Sequence, residues 1–127
     1  MELATFSKID KATQDRINSW LSGNYDENTK SEIRLMIAEN REDDLIDSFY
    51  KQLEFGTGGL RGVMGVGSNK MNKYTIGAAT QGLANYLKKN FVEDSIKVAI
   101  AYDSRNNSDV FSQITADVFS ANGIHVY

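Results

Sequence analysis

Apolar positions in the first half of the chain recur at helical spacing. Ile9, Ala12, Ile17, Trp20 and Leu21 form one stripe, Ser7 or Asp10 stands where a cap belongs, and Gly23 closes the element. After the polar turn from Asn24 to Asn28, a second helix is predicted from Thr29 with Ile33, Met36 and Ile37 inward. A third opens at Arg41-Glu42-Asp43-Asp44 and carries Leu45, Phe49 and Leu53 at i, i+4 and i+8. Its acidic first turn suits the positive end of a helix dipole, so this charge run reads as a solvated helix start.

The pattern changes at Phe55. Six of the ten glycines, at positions 56, 58, 59, 62, 65 and 67, fall within one short stretch ending at Gly67. Each would cost about 0.5 to 1 kcal/mol inside a helix or strand, so the segment predicts an irregular loop with short extended pieces. From Asn72, a helical stripe of Ile76, Ala79, Leu83 and Leu87 runs to Lys88-Lys89 and Asn90. Ile96 to Tyr102 then reads as a mostly buried strand, and Ser108 can cap a helix with Phe111, Ile114, Val118 and Ala121. Gly123 stops that helix, and Ile124-His125-Val126-Tyr127 begins another strand. Strand, helix and strand at this spacing form a βαβ unit, so the two strands should be parallel. The expected class is α/β: N-terminal helices over 1–54, then a partial mixed or parallel sheet over 55–127. A last strand this short reads as a domain cut short, and its unpaired edge predicts self-association.

Composition narrows the function. With 127 residues, 41% hydrophobic and 24% charged, the chain has the make-up of a globular domain. Zero cysteines exclude disulfides, thiolate catalysis and cysteine-ligated metals. No apolar run approaches a membrane span and the start lacks a signal pattern, so a cytoplasmic location is expected. The net charge of -3 is no match for a nucleic-acid backbone. That charge is uneven, however: 7 basic against 12 acidic residues up to Glu54, then 7 against 5 from Phe55. The second half better suits an anion.

Catalytic nucleophiles are poorly supplied, because the chain has one histidine and no Gly-x-Ser-x-Gly elbow. His125 reads as packed or hydrogen-bonded, not as a metal ligand. The glycine loop is the dense chemical signal. A Walker A reading fails because Ser68-Asn69 follows Gly67, and Gly-x-Gly-x-x-Gly readings from Gly56 and Gly65 meet Arg61 and Lys70 at the third glycine. What remains is a loop of exposed backbone N–H groups around one fork-shaped cation, Arg61, which suits a phosphoryl group. A loop glycine-rich only because it turns sharply stands equally open. A second candidate, Asp103-Ser104-Arg105, follows the carboxyl end of the predicted strand, where α/β sheets place ligand loops; it also fits a turn braced by its own side chains.

At these two loops the sequence resembles the α-D-phosphohexomutases, the phosphoglucomutase and phosphomannomutase family. Leu53-Glu54-Phe55-Gly56-Thr57-Gly58-Gly59-Leu60-Arg61-Gly62 is similar to the family's opening Phe-Gly-Thr-x-Gly-x-Arg-Gly stretch. Gly67-Ser68-Asn69-Lys70-Met71-Asn72 and Gln81-Gly82-Leu83-Ala84 resemble its bacterial phosphoglucomutase-like branch. Ala101-Tyr102-Asp103-Ser104-Arg105 with Ser108, and Ala121-Asn122-Gly123-Ile124, are similar to the segments that follow.

The resemblance implies a four-domain parent, with this chain as the first part of domain I. In the family, a phosphoserine exchanges its phosphoryl group with a hexose 1- or 6-phosphate through a bisphosphate, assisted by Mg²⁺. Arg61 matches the arginine beside the phosphoserine; Thr57, Gly58, Gly59 and Gly62 would shape its loop, while Asp103 and Arg105 match a motif of open role. The family's Thr-Ala-Ser-His-Asn-Pro nucleophile loop is absent from a chain with no proline and no Ser-His pair, as is its Asp-Gly-Asp-x-Asp-Arg magnesium loop. No metal ligand is therefore expected in this chain, and the chain alone should be inert. Its expected ligand is a phosphorylated hexose, bound through the parent, with no nucleic-acid or membrane partner. The alternative is a non-catalytic module binding phosphate or a partner chain.

Overall fold

The computed structural model describes residues 6–56, 59–92, 95–102 and 107–127. These form two compact units, Met1–Asn72 and Lys73–Tyr127.

The first unit is built on three helices that pack pairwise: α1 (Lys11–Ser22), α2 (Glu27–Ala38) and α3 (Glu42–Phe49). Asp10 starts α1 by accepting the Thr13 backbone N–H at 2.8 Å. Gly23 ends it at φ -80, so its role is close approach: a Cβ there would stand 2.6 Å from the Ser19 carbonyl oxygen. Asp26 caps α2 in the same way as Asp10, through Thr29 N–H at 2.7 Å, which sets the start at Glu27, earlier than the apolar stripe suggested.

The far end of α2 closes without glycine. Asn40 adopts φ 56, its N–H reaches the Ile37 carbonyl, and Arg41 N–H reaches Met36. This is a Schellman closure with asparagine in the left-handed position. Ile17, Ile33, Leu45 and Phe49 are fully buried, with Trp20 edge-on to Phe49 at 5.7 Å and stacked on Tyr25 at 4.2 Å. Each such aliphatic or aromatic side chain contributes about 1.5–3 kcal/mol of burial.

Helix α3 stops at Phe49, short of Leu53. Arg16 Nη1 donates to the carbonyls of Phe49 at 3.2 Å and Tyr50 at 2.8 Å, placing a cation at the negative end of the helix. The Leu53 N–H turns away to the Ser68 carbonyl at 2.8 Å.

The Asp10 cap carries a pH dependence. Hydrogen bonds from Thr13, its side chain first and its backbone N–H second, hold the Asp10 carboxyl below its ordinary value of 3.8. A depressed native value means the stabilisation is complete above the unfolded value and is lost as pH falls through the native one. Asparagine caps without titrating. The stability difference between wild type and Asp10→Asn, measured by urea unfolding, is therefore expected to favour wild type at pH 5 or above (about) and to shrink below about pH 4. A difference that is flat across this range would remove the linkage.

The glycine segment folds into a short antiparallel hairpin, β1 (Phe55–Gly56) with β2 (Gly59–Leu60), pairing Phe55 with Leu60 and Gly56 with Gly59. The chain then loops back through a bridge between Met64 and Met71. Asn72 Nδ2 holds this loop closed from inside, donating to the carbonyls of Gly65 at 2.9 Å and Gly67 at 3.0 Å.

In the second unit, α4 (Lys73–Asn90) packs on α5 (Ser108–Ala121), and β3 (Lys97–Val98) pairs in parallel with β4 (His125–Val126). The βαβ unit is present as expected, and the α/β class holds. Ile96, Val98 and Ile100 send one strand face into a core with Ala84, Leu87, Phe119, Ile124 and Val126. The strand is covered on that face only: Lys97, Ala99, Ala101 and Tyr102 are exposed, which corrects the mostly buried strand read from composition. His125 is also exposed and packs edge-to-face with Tyr127 at 4.6 Å.

Three details of the helices depart from the apolar pattern. The buried stripe of α4 is Ile76, Thr80 and Ala84, with Leu83 exposed. Thr80 can be buried because its hydroxyl donates to the Ile76 carbonyl at 2.8 Å. Ser108 is the first residue of α5 and not its cap; Asn107 precedes it at φ 65 and its carbonyl accepts the Phe111 N–H at 2.8 Å. Phe119 is the deepest residue of α5, while Phe111, Ile114 and Val118 stay half-buried. Among the described residues, no helix is long and apolar enough to cross a membrane.

Candidate functional site

The first unit contains a cleft of about 280 Å³ where the end of α3, the β2 exit and the loop before α4 meet. Three cations line it, Lys51, Arg61 and Lys70, together with two carboxylates, Asp47 and Glu54. Arg61 follows β2 directly and is exposed. Among the described residues its guanidinium has no hydrogen-bond or ion-pair partner. Five N–H donors in one plane, left uncommitted in a concave site, can grip an anion bidentately.

The wall opposite is fixed by a ladder of contacts between α3 and the loop. Asn69 N–H donates to the Ser48 carbonyl at 2.9 Å and Asn69 Nδ2 to the Asp47 carbonyl at 3.0 Å. Ser68 Oγ donates to the Lys51 carbonyl at 2.8 Å, and Lys70 Nζ donates to the Asp47 carboxylate. The Lys70 side chain is only 15% exposed and pairs with Asp47, whose own side chain is 65% exposed. Gly62 lies beside this wall, where a Cβ would meet Leu53 Cδ1 at 2.8 Å.

Of the residues singled out in the sequence, Arg61 and Gly62 line the same cleft, and Gly59 sits in β2 opposite Gly56. Thr57, Gly58, Asp103 and Arg105 lie outside the described residues. Lys51, Lys70 and Asp47 were not singled out. Lys70 falls in the Gly67-Ser68-Asn69-Lys70 stretch, but no spacing rule links Lys51 or Asp47 to a glycine loop; the docking of α3 brings them there. Among the described residues, no three His, Cys, Asp or Glu side chains gather as a metal ion requires. The Mg²⁺ implied by the resemblance therefore finds no fit in them.

A helical lead-in, a glycine hairpin leading into an exposed arginine and a parallel βαβ unit fit the α/β class. Residues 52–127 match the model of the phosphoglucomutase/phosphomannomutase family, alpha/beta/alpha domain I. The chain belongs to that family.

Relatives extend the match upstream of the loop. A phosphopentomutase of Homo sapiens is 36% identical over 115 residues, covering 85% of this chain and 19% of that protein. A probable phosphoribomutase of Schizosaccharomyces pombe is 32% identical over 120 residues, 94% of this chain and 20% of that protein. A phosphoglucomutase of Staphylococcus aureus is 38% identical over 102 residues, 70% of this chain and 18% of that protein. The chain thus spans about a fifth of the length of the curated relatives it matches. No solved structure matches it significantly.

Proposed function

We propose that this chain forms the opening part of domain I of a cytoplasmic sugar phosphomutase, and that Arg61 stabilises the phosphoryl group being transferred. The reaction in this reading interconverts a hexose 1-phosphate and 6-phosphate. A phosphoserine contributed by another part of the parent loses its Oγ–P bond as a free hydroxyl of the sugar phosphate forms a new O–P bond, and the hydroxyl proton ends on the freed serine Oγ. The resulting bisphosphate then returns its other phosphoryl group to the serine. The names of the relatives extend the substrate class to pentose phosphates.

The observation that carries the reading is the Arg61 guanidinium in the cleft, without a hydrogen-bond or ion-pair partner among the described residues. Negative charge on phosphoryl oxygens grows more diffuse in the transition state, and a fixed planar cation stabilises it without reorganising. The chain alone supplies this electrostatic half and no turnover.

Glucose 1-phosphate titrated into the isotope-labelled chain should shift the amide resonances of residues around Arg61 and Gly62 at millimolar concentration. Arg61→Met should weaken that binding about tenfold, the effect of losing one charge-assisted bidentate contact. Unfolding midpoints should not change, since the side chain is exposed. Equal binding by wild type and Arg61→Met would overturn the role of Arg61.

A further inference from the structure

We propose that Lys51 is a second anion-contacting residue, so that a phosphate dianion sits between the Lys51 ammonium and the Arg61 guanidinium. The inference rests on the reading of Arg61 above and adds a contact from the helical lead-in, upstream of the glycine loop.

Four observations support it. Lys51 lines the same cleft as Arg61 and is exposed. Its backbone is fixed, because its carbonyl accepts the Ser68 hydroxyl at 2.8 Å and Ser68 is itself buried. Its ammonium lies 5.5 Å from the centre of the Tyr50 ring, a weak contact that leaves its three donors available. It forms no ion pair with Asp47 or Glu54 among the described residues, where the Asp47 carboxylate is engaged by Lys70.

The charge balance then selects the ligand. Lys70 and Asp47 cancel each other, leaving Lys51 and Arg61 against the single carboxylate of Glu54. A phosphate monoester carries about -1.5 to -2 at neutral pH, which matches two cations better than one. The two groups are complementary: Arg61 offers a planar fork, and Lys51 a mobile point charge that can follow the phosphate as its orientation changes. Glu54 opposes the same ligand and so tunes its affinity downward.

Inorganic phosphate titrated into the labelled chain at low ionic strength tests this with four variants. Lys51→Met, which keeps the stem length, should weaken binding about fivefold, and Lys51→Arg should restore it. Glu54→Gln should tighten binding about twofold by removing the opposing charge. If Lys51→Met binds phosphate as wild type does while Arg61→Met binds more weakly, the role of Lys51 is overturned and that of Arg61 stands. If neither variant changes binding, both fall. All three side chains changed are exposed, so Trp20 fluorescence on heating should give unaltered midpoints.

Discussion

Phe49→Ala is expected to lower the stability of the first unit by about 3–5 kcal/mol, the usual cost of removing a buried aromatic ring and leaving its cavity. Phe49 is fully buried and takes the edge-to-face contact of Trp20. It is also the last residue of α3, and its carbonyl receives Arg16. The substitution therefore loosens the helix end from which the chain runs on to Lys51 and Leu53. Trp20 is the single tryptophan of the chain and lies in this unit, so its fluorescence in a urea titration reads the effect. The midpoint should fall with little change in slope. Leu35→Ala is the matched control: Leu35 is 54% exposed and should stay within about 0.5 kcal/mol of wild type. A Phe49→Ala midpoint no lower than that of Leu35→Ala would mean that α3 is not clamped by this ring.

Such clamping explains which parts of the molecule were legible in the sequence. Helices α1 to α3 could be read because their signals are local: Ile33, Met36 and Ile37 share a turn, and Asp10 acts on a residue three positions on, whereas the Asp26 cap lay hidden in a stretch that read as a polar turn. The parallel pairing of β3 and β4 followed from connection length alone. Leu53 misled because its apolar spacing continues past the point where Arg16, from a different helix, caps α3. Leu83 misled in the same way, since tertiary packing chose Thr80 and Ala84 as the inner face and Thr80 hid its hydroxyl by bonding back to its own helix. Asn40 does the work expected of glycine, and its side chain gave no sign of it.

The site divides along the same line. Arg61 was legible because a cation among glycines is unusual wherever the chain goes. Lys51 looked like any surface lysine, and Asp47 like one more member of an acidic helix. Only the contact of the loop with α3 puts them in the cleft. Residue type pointed to Arg61, the centre of the proposed site, and long-range contacts supplied the walls of the cleft.

The glycine that matters most to those walls is Gly67, and Gly67→Ala should cost about 3 kcal/mol or more. Two effects combine. The residue holds φ +125, a conformation that side chains rarely adopt, worth about 1–3 kcal/mol by itself. An added Cβ would also collide with the Ser48 carbonyl oxygen and stand 2.8 Å from Ser48 Cβ. Ser48 cannot yield easily, because it is buried on α3 and the same carbonyl accepts the Asn69 N–H at 2.9 Å. The loop would have to lift, breaking the bonds from Ser68 to Lys51 and from Leu53 to Ser68 that define the far side of the cleft. Phosphate binding should therefore weaken together with stability, although no cation has been touched. Gly82→Ala serves as the opposite case: it lies within α4 with nothing within 4 Å of the new methyl, and should stabilise its helix by about 0.5–1 kcal/mol. The same chemical change then has opposite signs at two glycines, read by urea unfolding and by amide exchange in α4. Gly67→Ala with wild-type stability and wild-type phosphate affinity would show that the loop does not depend on its seat against Ser48.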